Sequence, residues 1–221
     1  AKTKPSVKRP KSPLPDFAAM AAGIAVDEPE EEVVVETVSE APAQEVAAPK
    51  APSLPYDESI AAEGITIVFG TESGNCETLS NKAAEALRGD GYSVQVLDAE
   101  KVKAAYFSTF ANVLVITSTW GDGDPPSNTE ALMAELKSGK ANPSMSGSQF
   151  SICALGDTSY EQFCKCGKDF DELFAQFGSN RLSPRVDCDL EFEETFAGWL
   201  DAVQGAFKAS GLKQKSPAGV A

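Results

Sequence analysis

The chain runs to 221 residues with 19 basic and 33 acidic side chains, a net charge of −14 and no histidine. So acidic a protein repels nucleic acid and anionic membrane surfaces, and a basic protein partner is its natural complement. Without histidine there is no Ser-His or Cys-His nucleophile and no histidine general base, so any chemistry falls to carboxylates, thiols or a bound cofactor.

Residues 1–15 carry five basic side chains and no acid, whereas residues 16–63 carry twelve acids against one lysine. Nine prolines between Pro5 and Pro55 interrupt helices and strands, and the acidic middle repels itself. Residues 1–63 therefore read as a long disordered tether rich in Pro, Ala and Glu. Within it, Phe17-Ala18-Ala19-Met20-Ala21-Ala22 allows a short helix over 16–25 and a docking motif for a partner. The basic first fifteen residues also suit the remnant of a targeting peptide.

From Gly64 the text alternates short apolar runs with amphipathic ones. The spacing predicts strands at 64–69, 92–97, 112–117 and 149–155, and a broken fifth near 181–188. Helices are predicted at about 77–88, 127–139, 161–177 and 191–208, with a short one near 100–107. Val113-Leu114-Val115-Ile116 and Phe150-Ser151-Ile152-Cys153-Ala154-Leu155 read as interior strands of a parallel sheet. Right-handed crossovers then place helices on both faces: an α/β fold, a doubly wound five-stranded parallel sheet over 64–210. Residues 211–221 form a polar tail or linker. No apolar run approaches a membrane span. The five cysteines (Cys76, Cys153, Cys164, Cys166 and Cys188) have no paired spacing, which predicts free thiols in a reducing compartment. Cytoplasm is the expected location, with a plastid stroma as the alternative.

Chemistry gathers in the loops that follow the first, third and fourth strands, all expected at one sheet edge. Gly70-Thr71-Glu72-Ser73-Gly74-Asn75-Cys76-Glu77 joins a buried strand to a helix. A hydroxyl-rich turn feeding a helix N-terminus suits a phosphate, because amides converge on the anion and the helix dipole favours it. It matches neither a Walker loop nor a dinucleotide fingerprint. Trp120 and Tyr160 each follow a core strand by a few residues, placing two aromatics at one rim where they can sandwich a flat conjugated ring. Gly121 and Gly123 permit positive φ, which turns backbone amides and carbonyls towards ring heteroatoms.

On these residues the domain from Ile65 to Phe207 resembles the flavodoxin-like FMN-binding domain of diflavin reductases, nearest to the flavoprotein subunit of NADPH-dependent sulfite reductase. The likeness is carried by Thr71-Glu72-Ser73-Gly74-Asn75, by Thr117-Ser118-Thr119-Trp120-Gly121-Asp122-Gly123-Asp124-Pro125-Pro126 and by Leu155-Gly156-Asp157-Thr158-Ser159-Tyr160-Glu161-Gln162-Phe163-Cys164. The resemblance implies FMN as cofactor. It assigns the phosphate to Thr71, Glu72, Ser73, Gly74, Asn75 and Cys76. The isoalloxazine falls to Ser118, Thr119, Trp120, Gly121, Asp122 and Gly123, with Leu155, Gly156, Asp157, Tyr160, Phe163 and Cys164. No catalytic side chain and no metal are expected. The implied role is FMN-dependent electron transfer, passing single electrons from an FAD/NADPH reductase module, fused or separate, to a basic acceptor such as a haem or sirohaem enzyme. Glu72, Asp122, Asp124, Asp157, Glu161, Asp187 and Asp189 are expected to ring the flavin edge. Two rival readings are a self-standing flavodoxin-type carrier or quinone reductase, and an FMN-free scaffold docking onto a larger assembly.

Overall fold

A computed structural model describes residues 54–214. The tether expectation for residues 1–53, the short helix at 16–25 and the end of the polar tail lie outside the described residues.

Among the described residues the first element is helix α1 (Glu58–Glu63), followed by strand β1 (Ile65–Gly70), α2 (Asn75–Gly89) and β2 (Val94–Asp98). Two 3₁₀ turns, Ala99–Lys101 and Ala104–Thr109, replace the single short helix expected near 100–107. Then come β3 (Asn112–Ser118), α3 (Glu130–Lys137), β4 (Gln149–Leu155), α4 (Lys165–Gln176), the short strands β5 (Asn180–Arg181) and β6 (Val186–Cys188), and α5 (Glu193–Ser210). Every strand pair is parallel, in the order β2-β1-β3-β4-β5, and β6 pairs with β4 beyond β5. The broken fifth strand is thus two fragments on one neighbour.

Strand alternation sorts the core into two layers. Ile65, Ile67, Phe69, Leu114, Ile116 and Leu155 face α2 and α5, where they meet Leu79, Ala83, Leu87, Phe196, Trp199 and Phe207. Val68, Val113, Val115, Phe150 and Ile152 face the other way, onto Leu132 and Leu136 of α3 and Phe170 and Phe174 of α4. The doubly wound expectation therefore holds, with β1, β3 and β4 buried on both sides. Trp199 also donates its indole N–H to Ser151 Oγ (2.8 Å), satisfying both polar groups in the interior.

Helix α1 corrects the boundary drawn at residue 63. Asp57 caps it, accepting from the amides of Ser59 (2.9 Å) and Ile60 (3.2 Å), while its own N–H donates to Gln95 Oε1 (2.9 Å). Ala61 is buried, and its carbonyl accepts from Ala111 N–H (2.8 Å), so residues 57–63 belong to the folded body. Six residues after a proline-rich run are too few for periodicity to show.

On the sheet-facing side of α2, Ser80 Oγ is buried with no hydrogen-bond partner. A buried hydroxyl left unpaired costs about 1–3 kcal/mol. Ser80→Ala is therefore expected to stabilise the protein by about 1 kcal/mol, raising Tm by about 2–4 °C in calorimetry. An unchanged or lower Tm would show that the hydroxyl has a partner in solution.

Candidate functional site

In this strand order the connection from β1 turns one way to β2, and the chain then crosses back over β1 to β3. The carboxyl ends of β1 and β3 are the switch point, where helices diverge and leave a crevice. A cavity of about 460 Å³ opens there, within the range of about 300–1,000 Å³ typical of small-molecule sites.

The cavity gathers most of the residues expected from sequence. Glu72, Ser73 and Asn75 line it from the β1–α2 loop, and Ser118, Thr119, Trp120 and Gly121 from the β3–α3 loop. Leu155, Gly156, Asp157, Tyr160, Phe163 and Cys164 line it from the β4–α4 loop. Thr71, Gly74, Cys76, Asp122 and Gly123 do not line it. Thr71 instead shapes the loop: its Oγ1 accepts from Gly74 N–H (2.9 Å). Gly74 is the N-cap of α2 at φ 86°, a left-handed conformation natural to glycine, and it supplies no side-chain cap. The first-turn amides of α2 are thus left for an anion. Cys76 is fully buried behind the loop, and burial pushes its thiol up to about 12, despite hydrogen bonds with Ser118 and Thr71. It is a packed neutral side chain.

The second loop is a tight hairpin. Trp120 N–H donates to Asp124 O (2.8 Å) and Asp124 N–H to Trp120 O (2.9 Å), with Gly121 and Gly123 at φ 50° and 113° between them. A Cβ at Gly123 would stand 2.8 Å from Gln162 Cβ, so the hairpin and the β4–α4 loop touch where only glycine fits. Both expected stacking side chains project outward: Trp120 is 60% exposed and Tyr160 51%. Both stand on the rim of the cavity with their rings open to solvent.

The third loop is anchored at its base. Gly156 N–H donates to Cys188 O (2.9 Å), and a Cβ at Gly156 would meet Cys164 N at 2.9 Å. Cys164, at φ 55°, precedes α4 and points its sulfur at Ala154 O and Cys188 O. Burial, then the nearby Asp187 carboxylate, pushes its thiol up to about 12. Cys153 is likewise raised, by its hydrogen bond to Cys188 and by burial. All five cysteines are free and buried.

Sequence reading passes over two members of a fourth wall: Leu190 and Phe192 follow β6 and line the cavity beside Asp189, an acid expected at the edge, and Gln162 lines it too. The signal was topological, since any strand parallel to β4 ends on the same rim. Thr158 ties this wall to the third loop, donating from its hydroxyl (2.5 Å) and N–H (3.1 Å) to Asp189, which holds that carboxyl below its usual range. Of the acids expected around the edge, Glu72, Asp157 and Asp189 line the cavity. Asp187 is paired with Arg185 (2.7 Å). Among the described residues no cluster could hold a metal ion, and no helix is long and apolar enough to cross a membrane.

An uncapped helix start with serine and asparagine donors at one end, and aromatic and apolar side chains at the other, fits a phosphate-bearing molecule with a flat ring. Fold and cavity together define an α/β mononucleotide-binding protein. The flavodoxin family model matches residues 67–199, and the chain belongs to that family. It is accordingly an FMN flavoprotein of electron transport, with FMN as its cofactor.

Among curated relatives, the sulfite reductase [NADPH] flavoprotein alpha-component of Bacillus subtilis is 36% identical over 154 residues, covering 70% of this chain and 25% of the relative. That of Mannheimia succiniciproducens is 37% identical over 145 residues, covering 66% and 24%. The chain thus spans about a quarter of the length of the curated relatives it matches. Among solved structures, a flavodoxin of Streptococcus pneumoniae is 30% identical with a TM-score of 0.58, covering 66% of this chain and 98% of that one. A mutant flavodoxin of Pseudomonas aeruginosa is 26% identical with a TM-score of 0.57, covering 65% and 98%.

Proposed function

We propose that this domain passes single electrons from an FAD/NADPH reductase module, fused or separate, to a basic acceptor redox protein such as a haem or sirohaem enzyme. The observation that carries this reading is the cavity at the switch point, with an uncapped helix start at one end and two half-exposed aromatics at the other. The names of the curated relatives favour the sulfite-reducing setting.

Bound FMN supplies the one-electron chemistry. Ser73, Asn75 and the first-turn amides of α2 would hold its phosphate, with Thr71 and Gly74 setting the loop. Trp120 and Tyr160 would flank the ring and limit water on its faces, while the backbone around Gly121 and Gly156 would meet its heteroatoms. Asp157 and Asp189 would keep negative charge beside the ring, which disfavours added electron density on it and makes the domain a willing donor.

The purified protein is expected to take up one FMN and show oxidised flavin bands. A colourless protein that takes up no added FMN overturns the reading and favours the scaffold. Reduction should require the separate FAD/NADPH module; direct reduction by NADPH would favour a quinone reductase. Because the rim is acidic, transfer to a basic acceptor should slow about tenfold between 0.02 and 0.3 M salt in stopped-flow measurements. A rate indifferent to salt would remove the basic-partner element.

A further inference from the structure

We propose that Asn128 is a positioning residue for the phosphate loop, setting affinity for the phosphate end of the ligand without touching it. This rests on the FMN reading above. Its side-chain amide joins three chain segments. Oδ1 accepts from Thr71 N–H (3.0 Å) and from the Thr129 hydroxyl (3.1 Å), while Nδ2 donates to Asp98 Oδ1 (3.0 Å).

The partners fix the amide's orientation, since Thr71 N–H can only donate and the Asp98 carboxylate can only accept. Thr71 in turn receives Gly74 N–H on its hydroxyl (2.9 Å). A continuous relay therefore runs from the end of β2, through the start of α3, to the N-cap of α2. A second link closes the same gap: Ser127 N–H donates to Glu72 Oε2 (2.9 Å). Between them the bare Cα of Gly70 makes room for two hydroxyls: a Cβ there would meet Thr129 Oγ1 at 2.2 Å and Thr117 Oγ1 at 2.6 Å.

Few side chains can replace Asn128. Aspartate keeps the acceptor for Thr71 but sets a carboxylate against Asp98. Serine lacks the reach to serve both sides, and leucine leaves Thr71 N–H without its acceptor and Asp98 with only the Glu100 amide (3.0 Å) as donor. Amides that grip an anion bind it well only if they are already held in place, because ordering them on binding subtracts from affinity. Asn128 supplies that order from outside the cavity.

The test compares two probes on apoprotein, FMN and riboflavin, which share the ring and differ in the phosphate. Asn128→Ala is expected to weaken FMN binding about tenfold while riboflavin affinity stays within about twofold, read by quenching of flavin fluorescence. Asp98→Ala, which leaves Asn128 in place but removes its anchor, should act in the same direction by about threefold and serves if the first variant does not fold. Equal losses for both probes, or no loss for either, overturn the proposal. A wild-type apoprotein that binds neither probe refutes the FMN reading itself, a result separable from any variant's behaviour.

Discussion

Gly167→Val is expected to cost about 3–4 kcal/mol and to lower Tm by about 10 °C. Gly167 lies in the first turn of α4, where that helix crosses β4. A Cβ there would sit 2.3 Å from Ala154 Cβ and 3.3 Å from Ala154 Cα, with Ile152 Cγ2 at 3.5 Å. Two small residues facing each other let the helix lie close against the sheet, and close-packed interiors do not yield to three extra carbon atoms. The helix must lift, and lifting it loosens Phe174, which is packed on Phe107 and Phe150, and Phe170, which is packed on Phe174. It also drags Phe163 and Cys164 at the cavity wall, so cofactor affinity should fall together with stability. Gly205→Ala on α5 is the control. Nothing lies within 4 Å of a Cβ there, and helix propensity alone should add about 0.5–1 kcal/mol. Thermal unfolding of the two variants gives the comparison; similar shifts in both would mean that the α4–β4 approach is looser than described.

Replacing both rim aromatics, Trp120→Ala with Tyr160→Ala, is expected to weaken FMN binding about a hundredfold and leave the fold intact. Each stacked face contributes roughly 0.5–1.5 kcal/mol beyond the area it covers, and the lost apolar cover adds more. Together these make about 3 kcal/mol, or two decades in affinity. Stability should barely change, because neither side chain is packed in the core: more than half of each is in water. Fluorescence titration of FMN reads the first effect and calorimetry the second. A large drop in Tm with unchanged affinity would assign both residues to structure. Unchanged values of both would shift the binding role to Leu155, Phe163, Leu190 and Phe192.

Much of the fold was legible because its inner strands are buried on both faces. Such strands read as unbroken apolar runs, and β4 occupies the predicted 149–155 without revision. The start of α4 was less visible. Its apolar pattern continues back through Phe163, but Cys164 turns left-handed and residues 161–164 form the loop that walls the cavity. Helix α1 was hidden by its length and by the prolines before it. In the site, glycines, hydroxyls and aromatics announced three loops, since each residue type has few other reasons to cluster after a strand. The wall at Leu190 and Phe192 carried no such mark; Phe192 merged with the amphipathic pattern of α5. Asn128 fell inside a predicted helix, and only tertiary structure puts it beside Thr71 and Asp98.

Strand β4 is covered along its outer side by two fragments, Asn180–Arg181 and Val186–Cys188, with Arg181 and Arg185 paired to Asp171 near the break. An extended peptide from another molecule would find at that margin only two or three backbone groups in register before meeting a fixed cation. The interruption thus guards this side of the sheet against fibril-like stacking, and it does so at the end of the sheet away from β2, without using any residue that lines the cavity.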